Sequence, residues 1–357
     1  MNRRVLAVAT VAKSLVYQMP TAWEVLTTRG FQVTFAAAPD GYERRLNRWG
    51  SFIPLSMERN FSLSTVTKAV PQVRRILAGK WDLIQVQTPI AATIVRLLPR
   101  RETPLVYVAH GLHFHADGDP RANLLFKAVE RLLSIRTDAL VVVSDEDYEA
   151  VRSWPVPTIW HLPGAGVDLS RFAGRQRLAG EPHRLLYIGE LNRNKDPMVA
   201  IDTARHLQSM GLEVELHVVG DGPMRNEVIR SSKNHLGQNV NWTSSTDDVP
   251  TLMTKASVLL HPSHREGLPR VLIEALANGL PVVSRENRGS RELLQEGHGQ
   301  IVPRDASSCQ FADAVIRLSQ QPPSAKAMAE QMSRYSQEAF RQSYEELLQT
   351  LGGLETT

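Results

Sequence analysis

Glu266 and Glu274 stand eight residues apart in HREGLPRVLIEALANGLPVV, with Gly267 directly after the first and Arg270 between them. Leu268, Val271, Leu272, Ala275 and Leu276 recur at helical spacing and predict one apolar stripe. Pro269 suits the first helical position, and Gly279 followed by Pro281 marks the end. Arg270 and Glu274 then share the face away from the stripe, and Glu266 falls in the loop at the helix's positive end. Gly267 lets a ligand approach the backbone, and the first amides of a helix have no partner within it. Free amides and the helix dipole together seat a phosphate. A carboxylate beside that seat is better used in accepting hydrogen bonds from sugar hydroxyls. The chemistry expected is a sugar linked to phosphate, against the plainer alternative of a solvated helix carrying surface charges.

Two further stretches fit the same ligand. In YIGELNRNKDP, Gly189 ends a strand, and Arg193 and Lys195 follow in a short loop, placing two cations where a diphosphate would sit. In Gly220-Asp221-Gly222-Pro223 a tight turn after the next strand would let a flat base lie on the backbone. In LVYVAHGLHFHADGD, His110 follows a strand at the carboxyl edge where open parallel sheets bind ligands, with His113 and His115 close behind. Three imidazoles could chelate a metal, but no further cysteine or well-placed acid completes a set, so none is expected. Asp145 and Asp147 read as the acidic opening of a helix after Ser144, and Asp117 and Asp119 as a turn before Pro120. No Gly-x-Gly-x-x-Gly pattern follows the first strand, which disfavours a nicotinamide or flavin cofactor.

These residues need strands to hold them, and the chain supplies two series. Val5–Ala9, Gln32–Ala36, Ser51–Pro54, Leu83–Val86, Leu105–Val108, Ala139–Val143 and Thr158–Trp160 form the first. Leu185–Ile188, Val214–Val219, Val240–Trp242, Ser257–Leu260, Pro281–Ser284 and Gln300–Val302 form the second. Helical patterns fall between most of them, which is the alternation of parallel sheets covered on both faces. The Gly- and Pro-rich stretch from Leu162 to Pro182 reads as a linker. The expected architecture is α/β: two facing Rossmann-like domains with parallel sheets, over 1–165 and 166–330, a deep cleft between them, and a helix over 331–357 packing back on the body.

Composition narrows the class. With 42% hydrophobic and 22% charged residues the chain reads as globular, and no apolar run is long enough to span a bilayer. Val5–Ala9 fits a first strand better than a signal peptide. The single cysteine, Cys309, excludes an internal disulfide and points to the cytoplasm. The net charge of +4 is unevenly spread, with 20 Lys and Arg against 14 Asp and Glu in residues 1–160. Nucleic acid is a poor explanation, since aromatics are few and no binding motif appears. Ala91–Arg101 and Arg121–Arg136 mix Leu, Ile and Phe with Arg and Lys, as segments at an anionic membrane surface do. A core-facing helix with a solvated basic face would read the same way, and the sequence leaves both open.

Over nearly its whole length the chain resembles the retaining glycosyltransferases of family 4, which have the GT-B fold. The resemblance is carried by the Glu-x7-Glu motif from Glu266 to Glu274, followed by NGLPVV and GSREL. It implies a nucleotide-sugar donor, most simply a UDP-sugar, held by the second domain without a metal or other cofactor. Glu266 would contact donor hydroxyls and Glu274 the ribose; the Gly267 and Leu268 amides would meet the diphosphate with Lys195, near Gly189. Asp221, Gly222 and Pro223 match the turn near the base, and His110 the histidine near the reacting sugar. Two positions depart from the pattern. Glu190 stands where an Arg often follows the glycine, so Arg193 would take the cationic role. The usual glycine pair after the first strand is replaced by TVAKSLVYQMP, which makes Lys13 and Ser14 candidates for the acceptor, along with His113 and His115. AHGLHFH and GELNRNK look most like a branch acting on polyprenyl-linked sugars for surface polysaccharides. A nucleotide-sugar epimerase or a non-catalytic sugar-nucleotide binding protein would share the donor pocket.

Overall fold

The computed structural model describes residues 3–58, 63–114, 118–172, 183–246, 248–294 and 297–351. The chain divides into two compact units, Met1–Gly166 with Gln337–Thr357, and Val167–Ser336. The first is a seven-stranded parallel sheet: β1 (Arg4–Val11), β2 (Gln32–Ala38), β3 (Gly50–Pro54), β4 (Leu83–Gln87), β5 (Leu105–Ala109), β6 (Ala139–Val142) and β7 (Thr158–His161), in the order β3-β2-β1-β4-β5-β6-β7. The second is six-stranded: β8 (His183–Ile188), β9 (Val214–Val219), β10 (Val240–Thr243), β11 (Val258–His261), β12 (Val282–Arg285) and β13 (Gly299–Val302), in the order β10-β9-β8-β11-β12-β13. Both are doubly wound. Their order reverses between β1 and β4 in one unit and between β8 and β11 in the other, which is where such sheets bind ligands.

Every strand read from the sequence is present, within a residue or two at its ends. The signal was strong because strands covered on both faces need continuous apolar runs: all five residues of β4 and of β5 are buried. Two glutamines break the run in β4. Gln85 is matched by a hydrogen bond from the Tyr344 hydroxyl at 2.6 Å, donated from the Gln337–Thr350 helix. That helix belongs to the first unit and packs on the Pro20–Thr28 helix.

The two basic apolar segments turn out to differ. Pro89–Leu97 is a core-facing helix that buries Ala91, Ala92, Ile94, Val95 and even Arg96, so the membrane reading of Ala91–Arg101 is corrected. Pro120–Ser134 is started by Asp119, whose carboxylate accepts from the Ala122 amide at 2.8 Å. It does the reverse of its neighbour, burying Glu130, Leu133 and Ser134 while most of its leucines face outward. Arg96 Nη1 meets Glu130 Oε2 at 2.8 Å, its Nε donates to the Ala92 carbonyl at 3.1 Å, and its guanidinium lies 4.3 Å from the Tyr107 ring centroid. A buried pair of this kind adds little over an apolar pair, but breaking it strands a charge. Glu130→Ala should therefore cost about 3–5 kcal/mol in urea unfolding, and Glu130→Leu combined with Arg96→Met should recover most of that. A loss below about 1 kcal/mol for Glu130→Ala would show that Arg96 is solvated instead.

Candidate active site

In the second unit the carboxyl ends of β9, β8 and β11 lie side by side, and each carries one of the stretches singled out above. The β8 and β9 loops press together at their glycines. A Cβ on Gly220 would lie 1.9 Å from the Gly189 carbonyl oxygen, and one on Gly222 would lie 2.6 Å from that of Leu191. Only glycine allows backbones this close. Leu191 donates its amide to the Asp221 carbonyl at 2.9 Å, and the Asp221 carboxylate accepts from the Gly222 amide at 2.8 Å. Asp221 and Pro223 stay exposed on the turn.

Across the switch point Lys195 Nζ is hydrogen-bonded to Glu266 Oε1. The loops bearing them are zipped by His264 N to Asn194 O at 2.8 Å and Asn194 Nδ2 to Arg265 O at 3.0 Å. Burial works to raise the Glu266 carboxyl, but Lys195 and His261 outweigh it and hold it at about 2. Glu266 is thus an anion at any working pH. His261 backs it from the end of β11, with Nε2 3.3 Å from Glu266 Oε1 and Nδ1 3.0 Å from Ser284 Oγ. Burial pushes the His261 pKa down, which favours the neutral ring. Nε2 faces the carboxylate, and Nδ1 lies on the Ser284 hydroxyl, which also reaches the Arg285 carbonyl at 3.0 Å.

Asp196, next to Lys195, takes left-handed backbone angles (φ 47°, ψ 58°) at the start of the Pro197–Ser209 helix. That costs a non-glycine residue roughly 1–2 kcal/mol, less for Asp than for most. Its carboxylate lies 3.1 Å from Arg285 Nη2 and 3.2 Å from His264 Nε2. Arg285 is buried, and its remaining donors reach the carbonyls of Pro262 at 2.9 Å and Arg304 at 2.6 Å. An unpaired buried guanidinium would cost more than the strain, roughly 3–5 kcal/mol, so the pairing holds the turn and with it Lys195.

The expected helix spans Arg270–Ala277, with Pro269 as its N-cap in extended conformation, one position earlier than read from the sequence. Leu268 consequently lies outside the helix, in the loop with Gly267, and no hydrogen bond from either amide is found among the described residues. Glu274 does share a face with Arg270, Nε to Oε1 at 2.8 Å, but the pair is half-buried rather than solvated. Burial raises the Glu274 pKa against the pull of Arg270 and Arg171. Gly289 supports the loop from below: a Cβ there would stand 2.1 Å from Pro269 Cδ and 2.8 Å from Gly267 O. Asn287 adds a hydrogen bond from Nδ2 to the Ser263 carbonyl at 3.0 Å. Arg193, expected beside the phosphates, is exposed and forms no ion pair with a described residue.

In the first unit His110 follows β5. Its Nε2 is buried without a partner among the described residues, and burial lowers its pKa to about 4. The loop beyond it is tied by the Leu112 amide, which donates to buried Asp147 at 3.3 Å. Gln87 ends β4 beside Val108 in register, on the sheet face that His110 continues, and neither of its amide atoms has a partner among the described residues. Lys13 and Ser14 open the Ala12–Gln18 helix, where the Lys13 amide donates to Asp40 Oδ2 at 3.1 Å and Lys13 Nζ lies 5.6 Å from the Tyr42 ring centroid. His113 is exposed, its ring centroid 5.5 Å from that of Phe126. His115, with Asp117, lies outside the described residues. His261, Ser284, Asp196, Arg285 and Gln87 were not singled out from the sequence, although a charge or amide closing an otherwise apolar strand is a readable sign of a partner.

Comparison with known proteins identifies the family and the fold. Residues 171–338 match the family model of group 1 glycosyl transferases, and residues 21–182 match that of a glycosyl transferase 4-like domain. EpsD of Bacillus subtilis, assigned as a glycosyltransferase, is 29% identical over 70% of this chain and 71% of its own. The Escherichia coli UDP-Gal:α-D-GlcNAc-diphosphoundecaprenol α-1,3-galactosyltransferase is 24% identical over 75% and 74%. Anabaena HepE, solved in complex with UDP, superposes with a TM-score of 0.72 at 17% identity, over 97% of this chain and all of that one. The two family models between them run from residue 21 to residue 338, and the chain belongs to the family 4 glycosyltransferases of the GT-B fold.

Proposed function

We propose that the protein moves a hexose or N-acetylhexosamine from a UDP-sugar to a hydroxyl of a lipid-linked glycan, with retention of configuration, in the synthesis of a surface polysaccharide. The observation that carries the reading is the Lys195–Glu266 pair at the β8/β11 switch point, a cation and an anion beside the amides of Gly267 and Leu268, which have no hydrogen-bond partner among the described residues. Lys195 and the amides suit a diphosphate; the permanently ionised Glu266 suits sugar hydroxyls. Glu274 would take the ribose, and the Gly189 loop with the Asp221–Pro223 turn would border the base. The UDP held by HepE supports the nucleotide, and the diphosphoundecaprenol substrate of the E. coli relative supports the acceptor.

In this reading the bond from the anomeric carbon to the diphosphate oxygen breaks first. Lys195 and the Gly267 and Leu268 amides stabilise the charge that builds on the diphosphate, without needing a metal. The acceptor hydroxyl approaches the oxocarbenium-like carbon on the face being vacated and passes its proton to the departing oxygen. His110, neutral because burial holds its pKa near 4, orients the sugar by hydrogen bonding and is not the nucleophile. Lys13, Ser14, His113 and His115 are the acceptor-side candidates.

Lys195→Ala should lower kcat by about 100- to 1000-fold with the melting temperature little changed, and wild-type turnover should persist in EDTA. Near-normal turnover in the variant, or a strict metal requirement, would overturn the assignment. The state of His110 gives an independent test. Its folded pKa is depressed, so it stays neutral until pH falls towards about 4, and kcat/KM should show no His110 titration between pH 5.5 and 7.5. An acid limb centred near pH 6.5 that disappears in His110→Asn would show that the imidazole works protonated.

A further inference from the structure

The Pro120–Ser134 helix is amphipathic the wrong way round for a globular protein. Leu124, Leu125, Phe126, Val129, Leu132 and the following Ile135 are between 40% and 72% exposed, and Leu97 at the end of the neighbouring helix is 62% exposed. Leu124, Ala128, Leu132 and Ile135 form one outward row at helical spacing, with Leu125 and Val129 in the next row. The inward side carries Glu130, paired with Arg96, and Ser134. The helix's only acid is thereby removed from the surface. The charges left exposed on the helix itself and at Arg136 just after it are cations, Arg121, Lys127, Arg131 and Arg136, while the exposed N-cap Asp119 stands as an acid at its start.

We propose that this face docks the protein on an anionic lipid bilayer, with the leucine rows in the acyl boundary and the four cations among the headgroups. Fifteen residues make a helix about 22 Å long, enough for one continuous apolar strip lying in the membrane plane. A second copy of the chain is a poor occupant, because a two-fold contact would bring the four cations of this face against their own copies. An anionic lipid surface covers the leucines and neutralises the cations together. His113 rests on Phe126, ring centroids 5.5 Å apart, so docking would bring His113 to the lipid surface. The inference stands on the helix alone and does not depend on which sugar or nucleotide is used.

The test is co-sedimentation of the full chain with vesicles of phosphatidylcholine, with and without phosphatidylglycerol, in the absence of any nucleotide sugar. The wild type should bind the phosphatidylglycerol vesicles, and added salt should weaken binding. Each cation near the surface is worth about fivefold in partitioning, so Lys127→Gln with Arg131→Gln should lower binding roughly 25-fold. Leu124→Ser, Leu125→Ser and Leu132→Ser together should abolish it with no loss of melting temperature, since none of the three packs inward. The proposal is overturned if the wild type ignores anionic vesicles, if the serine variant binds like the wild type, or if the serine changes instead dissolve a dimer seen by analytical ultracentrifugation. Because no donor is present, failure here would leave the transferase reading untouched, and failure of the Lys195 assay would leave this one standing.

Discussion

The second unit is organised around one ion pair, Lys195 with Glu266, made across the point where the strand order reverses. A charge pair half withdrawn from water has to be held from behind, and each partner is. Asp196 fixes the Lys195 turn by taking a strained backbone and locking it to buried Arg285. Glu266 is backed by His261, which Ser284 orients in turn. The Arg285 and Ser284 positions both belong to β12, a strand that contributes nothing else to the site. Removing either support would move a charge that the chemistry needs in place, although neither residue would touch a ligand.

The first unit has the same winding but a different switch point. There Thr10 and Thr88 face each other, hydroxyl to hydroxyl at 2.7 Å, and Thr88 takes an unusual backbone conformation (φ 65°, ψ 138°) to do so. Strained residues therefore follow a strand at both switch points, Thr88 after β4 and Asp196 after β8, and only the second supports a charge pair. This difference suits a division in which the second unit holds an anionic donor while the first offers neutral groups, such as His110 and Gln87, to hydroxyls. The outward leucines and cations of the Pro120–Ser134 helix are the feature of the first unit that the proposed membrane docking would use.

Much of this was legible in the sequence. Parallel strands buried on both faces write themselves as apolar runs, so β1 to β13 could be read one by one, and the loops bearing Lys195, Asp221 and Glu266 could be placed at strand ends. What was not legible depends on partners distant in the chain. Nothing local tells that Lys195 reaches a residue 71 positions away, or that Arg285 is caged by carbonyls from Pro262 and Arg304. Pro269 was placed one position too far into its helix because proline suits both the cap and the first turn. The two basic apolar segments could not be separated by composition, since a helix has the same sequence whichever face it buries. Arg193 and Lys195 looked equivalent as loop cations, and among the described residues only Lys195 meets an acid.

The central claim is that Lys195 serves the diphosphate while Glu266 serves the sugar. Titration calorimetry of UDP and of the matching UDP-sugar against the wild type and Glu266→Gln tests it most directly. Releasing Lys195 from its ion pair should leave UDP binding unchanged or tighter in the variant, while the extra affinity contributed by the sugar is lost. If Glu266→Gln instead abolished binding of UDP itself and left the sugar's increment intact, the division of roles across the β8/β11 switch point would be wrong.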